Sequence, residues 1–90
     1  MVSYRVSTQD VLYDDYADVL YVKLGESDDT FGRETPSGLI VHFSKTTGDP
    51  AGLTVTDYCG VPEGQRSVFV VDSDSPFEVR IEDTEAACFG

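Results

Sequence analysis

The sequence predicts a mainly β fold: a small antiparallel meander sheet of about six strands, with at most one short helical turn. Three observations support this. Apolar residues recur at every second position in Val2–Val6, Leu39–Ser44 and Phe77–Ile81, the period of a strand with one buried face. Glycine, proline and aspartate gather between the apolar runs, where turns need them. No segment keeps the i, i+3, i+4 spacing of a helix through three turns.

The remaining strands are laid on Val11–Leu24. Its two apolar runs, Val11–Tyr13 and Val19–Leu24, flank Asp14-Asp15-Tyr16-Ala17 and read as a β-hairpin. Asp14 and Asp18 bracket the turn, where their carboxylates accept hydrogen bonds from backbone N–H groups one or two residues on. Two acids this close suggest calcium, but the Asp-x-Asp-x-Asp-Gly spacing of a dedicated loop is absent, so turn capping is expected. Upstream, Val2, Tyr4 and Val6 mark the first strand; Thr8-Gln9-Asp10 either bends it into Val11–Tyr13 or separates two strands. Val19–Leu24 is apolar on both sides, with Leu20, Val22 and Leu24 on one and Val19 and Tyr21 beside Lys23 on the other. A strand open to water alternates more cleanly. The second face is therefore expected to be covered in part, by a helix, a loop or another copy of the chain.

Gly25–Gly38 is a polar connection of 14 residues. Structureless loops of about 12–15 residues or more are uncommon in small domains, so Phe31–Glu34 is expected to extend a strand and Phe31 to anchor it on the core. Leu39–Ser44 and Gly52–Tyr58 form a second hairpin around Lys45–Pro50, with Ile40 and His42 facing away from Leu39, Val41 and Phe43. Val68–Val71 is a short apolar strand. In Phe77–Glu82 the apolar residues alternate with Glu78, Arg80 and Glu82, and this charged side suits an edge position. Asp83–Ala87 has room for one helical turn.

Ninety residues bound a single domain. No apolar run approaches the roughly 18 residues that cross a bilayer. The start, MVSYRVSTQD, lacks the basic and apolar regions of a secretory signal, so the cytoplasm is the expected location. Seventeen acidic residues face six basic ones, a formal net charge of -11. That charge repels phosphate backbones and anionic lipids, which disfavours direct nucleic-acid and membrane binding. Solubility, salt adaptation and a basic protein partner all fit it. Cys59 and Cys88 lack CxxC spacing, and in the cytoplasm both are expected to be reduced.

The series Tyr13-Asp14, Ala17-Asp18, Leu20-Tyr21-Val22 and Leu24, then Gly38-Leu39-Ile40-Val41-His42-Phe43, then Gly48, Gly52-Leu53-Thr54-Val55 and Asp57, resembles the family catalogued as domain of unknown function 2283. The resemblance spans residues 11–58 as a family-like core, leaving 59–90 as a C-terminal extension of the single domain 1–90. It implies a small prokaryotic β-rich protein with no assigned catalytic residue, and a companion to small toxin-like proteins. Lys45-Thr46-Thr47 departs from the family, which tends to be acidic there.

Candidate chemistry is sparse. His42, the only histidine, titrates near neutrality in its unperturbed form and suits a base or a ligand, but no spacing marks a second group beside it. Cys59 is the better placed thiol, yet an activated thiolate needs a neighbouring cation, and the nearest basic residue in sequence is Arg66. No nucleophile elbow or phosphate loop is present. No catalytic residue, metal ligand or cofactor is therefore assigned.

Two functions follow from different classes. The first is a non-enzymatic acidic protein-interaction module acting as a homodimer, antitoxin-like toward a basic protein, with Val19, Tyr21, Ile40 and His42 on its interaction face. The alternative is a small metal-dependent or hydrolytic enzyme using His42 with neighbouring carboxylates.

Overall fold

The alternating apolar residues sort into two facing sheets. The computed structural model describes residues 2–26, 29–72 and 76–82. Among these, β1 spans Val2–Val6, β2 Val11–Asp14, β3 Val19–Lys23, β4 Thr30–Glu34, β5 Leu39–Ser44, β6 Pro50–Thr56, β7 Val68–Val71 and β8 Phe77–Ile81. A five-stranded antiparallel sheet has the order β2-β3-β6-β5-β4, and a three-stranded sheet the order β1-β8-β7. Three-residue 3₁₀ turns occur at Thr8–Asp10, Tyr58–Gly60 and Glu63–Gln65. No helix among the described residues is long and apolar enough to cross a membrane.

The mainly β fold is as the sequence predicts, while the order of strands is not a simple meander. β3 pairs with β6 instead of β4. The cause is burial: β3, β5 and β6 carry Leu20, Val22, Val41, Leu53 and Val55, all at most 3% exposed. β4, TFGRE, has too little to bury and takes the edge, with four of its five residues exposed. Thr8–Asp10 forms a 3₁₀ turn, so β1 and β2 are separate strands and belong to different sheets. β1 then pairs in parallel with β8, joining residues far apart in sequence.

β8 is central in its sheet, flanked by β1 and β7, and not at an edge. Its charged side faces water because the sheet is covered on one side only, which gives a central strand the same alternation as an edge strand. The inner side, Phe77, Val79 and Ile81, is buried, and on the outer side Arg80 Nε pairs with Glu78. Asp83–Ala87, expected to form a helical turn, lies outside the described residues.

One apolar core joins the two sheets. Leu20, Val22, Leu39, Val41, Leu53 and Val55 meet Val6, Phe69, Val71, Phe77, Val79 and Ile81, with Tyr58 fully buried between them. The segment after residue 58 thus supplies two strands of the layer that covers the five-stranded sheet. β6 ends at Thr56, two residues before the expected strand end, because Asp57 adopts a left-handed φ of 51° that turns Tyr58 into the core.

Candidate functional site

On the five-stranded sheet the period of two places one residue set on the core and the other on the opposite, outer face. Strand register sets Leu12, Tyr21, Thr54, Ile40 and Glu34 side by side across all five strands on that outer face. The next row is Lys23, Gly52, His42 and Gly32. Val19 lies between Asp14 and Thr56. Val19, Tyr21, Ile40 and His42 therefore lie on one face of the sheet.

That face is not covered by a further layer among the described residues. Leu12 is 68% and Tyr21 43% exposed, whereas Val19, Ile40 and His42 are half-buried. A concavity of about 550 Å³ lies on it, lined by Leu12, Tyr21, Lys23, Glu26, His42 and Gly52. Lys23 Nζ pairs with Glu26 at 3.1 Å, a bond between exposed groups that contributes little.

His42 is held by its neighbours. Gly32 and Gly52 lie on either side of it in the sheet, and a Cβ at either position would come within 3.6 Å of the imidazole. The two glycines leave a slot in which the ring lies. Its Nε2 is 2.8 Å from Oγ1 of Thr54, which is itself buried. This bond satisfies the threonine hydroxyl inside the sheet surface. No group of three or more His, Cys, Asp or Glu side chains among the described residues is arranged to hold a metal ion.

The turn aspartates act on backbone. Asp14 Oδ1 accepts from the N–H groups of Tyr16 at 3.0 Å and Ala17 at 3.2 Å, the capping its position in the turn predicts. Asp18, left-handed with φ 55°, reaches across the fold instead. Its carboxylate accepts from the N–H of Cys59 at 3.0 Å and from the phenol of Tyr13 at 2.7 Å.

Cys59 is disulfide-bonded, which corrects the expectation of a reduced thiol there and removes it as a nucleophile. Cys88, the other cysteine of the chain, lies outside the described residues. Arg66, the cation nearest in sequence, does not activate a thiolate. It donates from Nε to the carbonyl of Val61 at 2.8 Å and from Nη2 to that of Cys59 at 3.0 Å. Its guanidinium also lies over the Tyr58 ring. Its role is to fasten the polar link after β6.

A second concavity lies between the sheets, with a volume of about 670 Å³. Tyr4 and Phe77 form one wall, edge to face with centroids 5.3 Å apart. Phe31 and Phe43 form the other, 5.6 Å apart. Phe31 is 41% exposed, so it rests on Phe43 at the border of the cleft and does not anchor in the core as expected. Arg33 lines the cleft as well, and Asp72 accepts a 2.7 Å bond from the Ser37 hydroxyl that holds its carboxyl below the ordinary range. The sequence carries no sign of this cleft, because its walls come from β1, β4, β5 and β8. No family model matches the chain, nor does any curated protein or solved structure, so the reading of both concavities rests on their geometry.

Proposed function

We propose that this protein is a non-enzymatic, acidic protein-interaction module that acts as a homodimer and presents the outer face of its five-stranded sheet to a partner. The observation that carries the reading is the cross-strand row of Leu12, Tyr21 and Ile40 beside the half-buried Val19 and His42, apolar surface left on the side away from the core. Exposed apolar patches rimmed by polar residues are typical of association sites. A domain of 90 residues also has a thin margin between burial and chain entropy, which pairing of copies widens.

The charge of -11 suits a basic partner protein, and the resemblance to domain of unknown function 2283 adds the antitoxin-like form of that idea. Sedimentation at roughly tens of micromolar, where interfaces of ordinary strength are populated, tests the homodimer. A monomer at that concentration removes the reading. Affinity capture at low salt tests the partner: a basic protein should be retained by the wild type and lost with Tyr21→Glu. Recovery of nothing basic removes the antitoxin-like form.

A further inference from the structure

β4 is the last strand of the five-stranded sheet, so one side of its backbone has no described strand against it. The hydrogen-bond phase identifies which groups lie there. Thr35 N donates to Leu39 O, and Lys45 N donates to Asp29 O. Residues 29 and 35 therefore turn their polar groups toward β5. Antiparallel alternation turns Phe31 and Arg33 the same way and directs the N–H and C=O groups of Thr30, Gly32 and Glu34 outward. Such a row is a template for another strand unless proline, lysine or a bulge blunts it. Thr-Phe-Gly-Arg-Glu contains neither proline nor lysine.

We propose that β4 is the joint between two copies of this chain, pairing antiparallel with its counterpart about a two-fold axis at Gly32. This rests on the homodimer reading above and says how the copies meet. Register selects the axis. Centred on Arg33 or Glu34, the like charge meets itself, and centred on Thr30 or Phe31, Glu34 has no partner residue within the other copy's β4. Only the axis at Gly32, the middle residue of β4, pairs all five of its residues. Gly32 then faces Gly32, Thr30 faces Glu34, and the outward groups at residues 30, 32 and 34 find partners in every case.

The side chains agree with this register. Phe31 and Arg33 of opposite copies fall into the close, non-hydrogen-bonded pairs of the ladder. Phe31 is 41% exposed, and the Arg33 side chain makes no hydrogen bond or ion pair among the described residues. Pairing places a guanidinium beside an aromatic ring, a favourable contact once solvent leaves. It also brings two cations to the axis of a dimer whose halves each carry -11. A two-fold axis normal to the sheet keeps both three-stranded layers on one side. The two aromatic clefts then open toward each other, and the two outer faces become one continuous surface.

Amide exchange and sedimentation test this on the intact chain. In the wild-type dimer the amides of Thr30, Gly32 and Glu34 should exchange as slowly as those of Phe31 and Arg33, roughly a hundredfold slower than open amides. Gly32→Pro removes only an outward donor, which an edge strand tolerates, and should give a folded monomer. Tyr21→Glu should remain a dimer. A dimer that survives Gly32→Pro, or that leaves residues 30, 32 and 34 exchanging freely, overturns the joint while the homodimer stands. A monomeric wild type fails at the earlier step, the homodimer itself. Should Gly32→Pro not fold, the wild-type exchange pattern decides alone.

Discussion

The phenol of Tyr13 donates to Oδ1 of Asp18 at 2.7 Å, and the same carboxylate accepts the N–H of Cys59, 41 residues away. The first hairpin is thereby tied to the turn that follows β6. The bond needs the phenol proton, so Asp18 pushes the Tyr13 pKa from 10.0 up to about 12. A raised pKa in the folded state means the contribution is complete below pH 10 and disappears as pH rises toward about 12. The melting temperature should fall across that interval in the wild type. Tyr13→Phe should melt a few degrees lower at neutral pH and show a flatter alkaline limb. Parallel alkaline limbs in the two proteins would contradict the assignment.

Arg66 should not tolerate replacement by lysine. Its fork reaches two carbonyls, Val61 O and Cys59 O, while its plane covers Tyr58. Lysine offers a point charge and cannot reproduce that geometry. Arg66→Ala should cost about 1.5–3 kcal/mol, the range for hydrogen bonds to charged groups. Arg66→Lys should recover less than half of it. Urea denaturation with a common slope measures both.

The glycines on either side of His42 should differ sharply. A Cβ at Gly52 would lie 3.3 Å from the backbone carbonyl of Val22, which the sheet ladder holds in place. Gly52→Ala should therefore destabilise by about 1–3 kcal/mol, as overpacking does. At Gly32 the nearest atoms are side chains of Ile40 and His42 at 3.5 Å or more. Gly32→Ala should be neutral, or stabilise by up to about 1 kcal/mol through lower chain entropy in the unfolded state. Equal costs at the two positions would mean that the slot does not shape this surface.

These contrasts show what was legible in the sequence. β1, β5 and β8 follow directly from alternation, β3 and β7 from their apolar runs, and the period of two also sets Val19, Tyr21, Ile40 and His42 on one face. Their side-chain pattern is local, with a period of two. The strand order was not legible, because the pairing of β3 with β6 depends on which strands have most to bury. The edge position was misread for β8 because a sheet covered on one side gives charged alternation to central strands too. The Asp18–Cys59 bond, the Arg66 fastening and the cleft beneath Phe31 join residues that only the folded chain brings together.

Salt should separate the two kinds of association. Each copy carries -11, so self-pairing works against a long-range repulsion that ions screen. The screening length shortens from about 10 Å at 0.1 M salt to about 3 Å at 1 M. Pairing through backbone hydrogen bonds and the Phe31–Arg33 contact is short-range and survives that screening. The dimer should therefore tighten, with its dissociation constant falling by about tenfold between those concentrations, about 1.4 kcal/mol. A complex with a basic partner depends on the same charge with opposite sign and should weaken over the same range. Sedimentation in the two salts distinguishes them within one sample. A dimer that loosens as salt is added would mean that ion pairs, and not the paired edge of β4, hold the copies together.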